Sequence, residues 1–134
     1  MAGQRDLDAG LLVAQGKTPQ ATTIFFALAD DKSAPEAYRN LAAIRGVAAN
    51  FDAMKPDDVI ARLKPLAKPG DPWFGSAGEL VAMAYLKQGK RDLAGPLFAS
   101  IAKDETAPKS MRSRARQMAG MLGYDAVVDV DQVL

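Results

Sequence analysis

The chain has 134 residues, 17 of them basic and 16 acidic, and its net charge of +1 gives no strong field toward nucleic acid or an anionic membrane. It contains no cysteine and no histidine, which excludes disulfides, thiol nucleophiles and Cys/His metal sites. No apolar run reaches the roughly 18 residues of a membrane span.

Helical periodicity runs through nearly the whole chain. Helix starts are marked by a cap residue before proline or by a capping box, at Thr18-Pro19, Ser33 to Glu36, Lys55-Pro56, Asp71-Pro72 and Thr106 to Pro108. Helix ends are marked by glycines, at Gly16, Gly70, Gly89 and Gly123. The pattern predicts seven helices joined by short loops, at about 3–15, 19–30, 34–50, 56–67, 72–87, 91–103 and 107–122. Pro65 predicts a kink or an early end in the fourth helix.

A phrase at residues 15–21, QGKTPQA, returns at 88–94 as QGKRDLA. Aligning 15–42 with 88–115, a shift of 73 residues, gives about 11 identities in 28 positions. Among the identical pairs are Phe25 with Phe98 and Ala21 with Ala94. A weaker middle copy places Val59, Leu63, Leu66 and Ala67 at the positions of Ala21, Phe25, Leu28 and Ala29. The sequence therefore predicts a helix-turn-helix array with a period near 36 residues.

The clearest copy, residues 75–102, has small Ala82 and aromatic Tyr85 before Gly89, then Ala94 and Phe98 after it. This copy resembles the tetratricopeptide repeat, although Gly78 stands where that repeat usually has a large aromatic residue. The resemblance implies an all-α right-handed superhelical array over residues 1–122, followed by a C-terminal tail at 123–134. We expect Ala94 to be buried where two helices touch.

A second pattern consists of RLKPLA at 62–67, DPW at 71–73, ELVAMAY at 79–85, Gly89, and APKSMRSRA at 107–115. With this pattern, most of the chain resembles the YfgM-like family, ancillary subunits of the SecYEG translocon. The resemblance implies the repeat portion of a protein that has an N-terminal membrane helix and lies on the periplasmic side of the inner membrane, where it binds translocon and chaperone partners. This chain lacks that membrane helix, and a cytoplasmic location remains the alternative.

We predict a non-catalytic scaffold for protein or peptide partners, with no cofactor and no metal. The first helix of each repeat would present a concave face. The candidate partner-binding residues on that face are Arg39, Ser76, Glu79, Met83, Lys87 and Arg112. Two alternatives remain open, an oligomerisation module and an accessory domain of a larger protein. Catalysis by Asp, Glu or Lys also remains open, although no nucleotide-binding or nucleophile motif appears.

Arg39 and Arg112 each follow an aspartate by eight residues, Asp31 and Asp104. The arginines could form a row that binds a carboxylate, or each aspartate could fix its own arginine across the turn, which is the interpretation we favour.

Three further segments have competing interpretations. Trp73 and Phe74 could anchor a partner or pack into the core, and we favour the core. For the basic helix around Arg112, Arg114 and Arg116, we favour a face exposed to solvent. For Met111, Met118 and Met121, we favour packing into the core. The valine-rich segment at 124–134 could dock on the last helix, join a neighbouring molecule or be a frayed terminus.

Overall fold

The computed structural model describes residues 1–124, and residues 125–134, with the predicted tail docking, lie outside the description. All regular structure in residues 1–124 is helical, so the all-α prediction is confirmed there. The seven α-helices are α1 (Ala2–Ala14), α2 (Thr18–Ala29), α3 (Glu36–Asn50), α4 (Pro56–Leu63), α5 (Phe74–Lys87), α6 (Arg91–Ala102) and α7 (Lys109–Met121). Contacts divide the chain into two compact units, Met1–Arg62 and Leu63–Leu134.

The predicted helix bounds agree with these to within two residues, except at the end of α4. There Pro65 ends the α-helix at Leu63, and a 3₁₀ turn follows over Lys64–Leu66. Proline lacks the N–H that would continue the helical ladder, which explains the early end. The four glycines predicted to stop helices all have a positive φ, between 73° and 90°, which an L side chain adopts only with strain. Gly70 does not end a helix, because it follows the last residue of the 3₁₀ turn, Leu66, by four residues.

The first unit is built around α2, which packs against both α1 and α3. One cluster in its buried core consists of Ala9, Ala21, Phe25, Leu28 and Ala42. Small residues let the helices approach closely. A Cβ on Gly46 of α3 would lie only 2.6 Å from the ring of Phe26 on α2, so glycine is required for this spacing.

The second unit repeats this arrangement, with α6 packed against α5 and α7. Adding 73 to the bounds of α2 gives those of α6, and the starts of α3 and α7 are related in the same way. The same shift converts the five core residues of the first unit into Ala82, Ala94, Phe98, Ile101 and Ala115, all in the core of the second. The sequence repeat is therefore a repeat of core positions, and Ala94 is buried as predicted.

Both units enter their third helix through the same turn. The Oδ1 atom of Asp31 accepts hydrogen bonds from the backbone N–H of Ser33 at 3.0 Å and from its hydroxyl at 2.6 Å. Asp104 accepts the same two bonds from Thr106 at the same distances. The predicted capping box at Ser33 is therefore wrong. The Ser33 hydroxyl is used inside this turn, and α3 begins at Glu36 after an extended Pro35.

The aromatic and methionine predictions are confirmed only in part. Phe74 is 2% exposed and belongs to the core of the second unit, while Trp73 is half-buried. Met111 and Met118 pack against the same core. Met121 does not follow the prediction, because its side chain is 74% exposed near the end of α7.

Tyr124 follows the last helix and lies directly against Gly95 of α6, where a Cβ would overlap its ring. Replacing glycine by alanine inside a helix normally stabilises by about 1 kcal/mol, as we expect for Gly120, which has no atom within 4 Å of its Cβ position. Gly95→Ala should instead destabilise by about 1–3 kcal/mol, because the added methyl group displaces the ring. Urea unfolding measures both changes.

Tyr124→Ala provides the internal control for this prediction. In that background Gly95→Ala should recover the stabilising sign seen at Gly120, since the overlap is gone. If Gly95→Ala stabilises the unmodified chain as much as Gly120→Ala does, Tyr124 does not occupy this position.

Candidate partner-binding surface

The candidate residues fall in both units: Arg39 lies in the first and the other five lie in the second. Ser76, Glu79, Met83 and Lys87 recur every three or four residues along α5, so they share one face of that helix. Ser76 and Glu79 are half-buried, whereas Met83 and Lys87 are exposed. This face therefore offers an acid, a thioether and an ammonium group along about three helical turns.

Glu79 does not stand alone on this face, because Arg114 of α7 pairs with it through two hydrogen bonds of 3.2 Å each. Sequence reasoning assigned Arg114 to a solvated face and missed this partner. The separation of 35 residues, close to one repeat period, is the signal that could have found it. The Arg114 side chain is 55% exposed, so the pair contributes at most about 1 kcal/mol and mainly orients the two helices.

The first unit has a corresponding pair with a different geometry. Asp6 of α1, which a shift of 73 relates to Glu79, accepts a hydrogen bond of 2.8 Å from Nη1 of Arg45 on α3. The other carboxylate oxygen of Asp6 is buried and has no hydrogen-bond partner among the described residues. Each unit therefore has an acid on its first helix bound to an arginine on its third, but the two arginines are one helical turn apart in the repeat.

Arg39 and Arg112 occupy equivalent positions in the first turns of α3 and α7. Each is half-buried, and each has a buried Nε that makes no hydrogen bond to any residue from 1 to 124. The favoured prediction that Asp31 and Asp104 fix these arginines is wrong. A short aspartate side chain reaches the N–H two residues ahead more readily than an arginine eight residues away, and Asp31 also binds Arg5 at 2.7 Å.

These contacts have an electrostatic consequence at Asp31. Hydrogen bonds from Ser33 and Arg5 lower the pKa of its carboxyl from 3.8 to about 2. Because the pKa in the folded state is depressed, this group stabilises the fold above about pH 4, and the contribution disappears as the pH falls through about 2.

Removing either donor should therefore raise the pKa of Asp31. We expect Ser33→Ala and Arg5→Gln each to shift its titration midpoint toward 3.8, measured by NMR from the side-chain carboxyl carbon. Thr106→Ala, which makes the matching change in the second unit, is the control and should leave Asp31 unaffected. A midpoint that stays near 2 in both variants would rule out these hydrogen bonds as the cause.

Arg62, the first residue of the RLKPLA segment at 62–67, has a local structural role. Its guanidinium lies over the ring of Phe26, 4.0 Å from the centroid, and forms two hydrogen bonds of 3.2 Å with Asp30. A planar guanidinium can stack on the Phe26 ring and donate to both carboxylate oxygens of Asp30 at once, so arginine suits this position better than lysine. These contacts join the end of α4 to the end of α2.

In the described part of the chain, no three acidic side chains lie close enough together to hold a metal ion. The same residues include no helix with the length and apolar character that crossing a bilayer requires. Comparison with protein-family models, with curated proteins and with solved structures finds no match to this chain.

Proposed function

We propose that the chain is a non-catalytic helical-repeat scaffold of the tetratricopeptide type that binds protein partners. The observation that carries the proposal is the duplication of a three-helix unit, with five core positions, one helix-ending glycine (Gly16 and Gly89) and one turn in the same register. Repeated helical units of this kind create extended side-chain surfaces suited to binding peptides. An array of more than two repeats with a right-handed superhelical path is part of the proposal.

The proposed partners are those of the YfgM-like resemblance, namely the translocon and periplasmic chaperones, with membrane anchoring by a helix outside this chain. The proposed binding face is formed by the first helix of each helix-turn-helix repeat, which includes α3, α5 and α7. Arg39 and Arg112 are its most informative residues, because the buried Nε of each makes no hydrogen bond to another described residue and both stand at the same place in the repeat.

Charge reversal at both positions, Arg39→Glu with Arg112→Glu, tests the proposal. The purified chain would serve as bait for a periplasmic extract and for detergent-solubilised translocon, and bound proteins would be quantified by mass spectrometry. Captured translocon or chaperone subunits should fall at least about tenfold, since a repulsive charge replaces an attractive one at two sites. The control reverses two exposed cations that lie outside α3, α5 and α7, Lys32 and Lys103, and should capture normally.

Circular dichroism must show equal helicity in the two double variants. Equal capture by the wild type and both variants would contradict the binding face. An absence of translocon and chaperone subunits from every sample would contradict the family-like partner assignment. Concentration-dependent light scattering without any captured partner would favour the alternative of an oligomerisation module.

A further inference from the structure

A groove of about 340 Å³ opens beside α1 and α3 in the first unit. Its floor lies over Phe25, whose ring is itself only 1% exposed, and much of its wall consists of the small residues Gly10, Ala48 and Ala49. The Arg45 guanidinium lies over the floor, 5.2 Å from the centroid of the Phe25 ring. Ligand pockets usually measure about 300–1,000 Å³, so this volume suits one bulky side chain and not a large ligand.

The second unit has large apolar side chains at the equivalent positions. A shift of 73 converts Gly10, Val13, Arg45, Ala48 and Ala49 into Met83, Leu86, Met118, Met121 and Leu122. Of these, Leu86, Met118 and Leu122 pack against the core around Phe98. The second unit thus supplies its own apolar volume beside the phenylalanine, whereas the first unit leaves space there. Leu86, Met118 and Leu122 indicate that apolar side chains suit the space beside the phenylalanine.

Arg45 places a positive charge at this groove, which favours a ligand with a negative charge. It is the one charged residue among those lining the groove. Asp6 engages Nη1, and the arginine side chain is 41% exposed. A guanidinium has five N–H donors, so this single bond leaves others for a ligand. A carboxylate is the partner that matches the remaining donors.

We propose that this groove recognises one bulky apolar side chain of a partner peptide, and that Arg45 binds a neighbouring carboxylate of the same peptide. This inference rests on the proposed function and deepens it. The apolar side chain packs above Phe25 against Val13 and the small residues, as Met118 and Leu122 pack against the core of the second unit. The second unit lacks an equivalent of Arg45 and carries its own apolar side chains, so the recognition is confined to the first unit.

Three pentapeptides test the proposal by NMR titration of the isotope-labelled full chain. The first is acetyl-Ala-Glu-Phe-Ala-Ala-amide, the second has lysine for glutamate, and the third has alanine for phenylalanine. The first should cause saturable shifts at the backbone amides of Gly10, Ala48 and Ala49. Affinity should fall at least about tenfold without the aromatic ring, and about two- to fivefold with lysine.

Gly10→Met gives the first unit the residue that the second has at Met83, and it should abolish the saturable shifts. An added Cβ at Gly10 approaches only the flexible end of Arg45, at 3.0 Å, so the variant can fold. Gly120→Met is the matched control, because it makes the same change at an exposed helical position with no neighbour within 4 Å. This control should bind like the wild type.

The proposal is overturned if the first peptide gives no saturable shifts, if its shifts lie elsewhere, or if Gly10→Met leaves them unchanged. Equal affinity for the glutamate and lysine peptides would overturn the role of Arg45. Partner capture separates this inference from the scaffold function. Capture that survives Gly10→Met but is lost on reversal of Arg39 and Arg112 overturns the groove and leaves the scaffold standing.

Discussion

Phe98→Ala should lower the free energy of unfolding by about 3–5 kcal/mol, since it empties the centre of the second unit's core. The ring is 1% exposed and packs among small residues such as Ala82, Ala94 and Ala115, which cannot move in to fill the cavity. Urea unfolding followed by fluorescence measures the effect, because the single tryptophan, Trp73, lies in the same unit.

Phe25→Ala is the matched variant in the first unit, where the ring is also 1% exposed and is surrounded by equivalent residues. Its cost, measured by circular dichroism, should fall in the same range. Phe26→Ala is the control, because that ring is only half-buried and should cost less. A loss of less than about 1 kcal/mol for Phe98→Ala would mean that the repeat does not place this ring in a packed core.

Ala94→Leu should destabilise the chain by about 1–3 kcal/mol through overpacking. Ala94 is completely buried on α6 in the core that α6 shares with α5 and α7, and its equivalent in the first unit, Ala21, is completely buried as well. Three additional carbon atoms at either position would force the helices apart. The midpoint of thermal unfolding should therefore fall for Ala94→Leu and for Ala21→Leu.

Ala27→Leu is the control for this pair, since Ala27 lies on the exposed face of α2 and leucine is nearly as good a helix former as alanine. Its melting temperature should stay close to that of the wild type. An unchanged melting temperature for Ala94→Leu would contradict the register of the repeat, because it would show that the position has room for a large side chain.

The candidate surface could be predicted only in part, for a physical reason visible at Glu79. The spacing of Ser76, Glu79 and Met83 fixes a common face on α5, because side chains three and four residues apart are neighbours on any α-helix. Which arginine reaches that face depends on how α7 packs beside α5, and no local spacing contains this information. Arg114 was therefore missed, and the partners proposed for Asp31 and Asp104 were wrong.

The sequence by itself determined the helices, most of their ends and the duplicated core. Those features depend on local periodicity, on glycines that accept a positive φ, and on buried positions such as Phe25 and Phe98 that recur at a fixed shift. Only the tertiary structure decided the ion pairs, the position of Tyr124 against Gly95 and the open groove beside Phe25. Each of these depends on side chains from different helices, whose distances are set when the helices pack and not by their spacing along the chain.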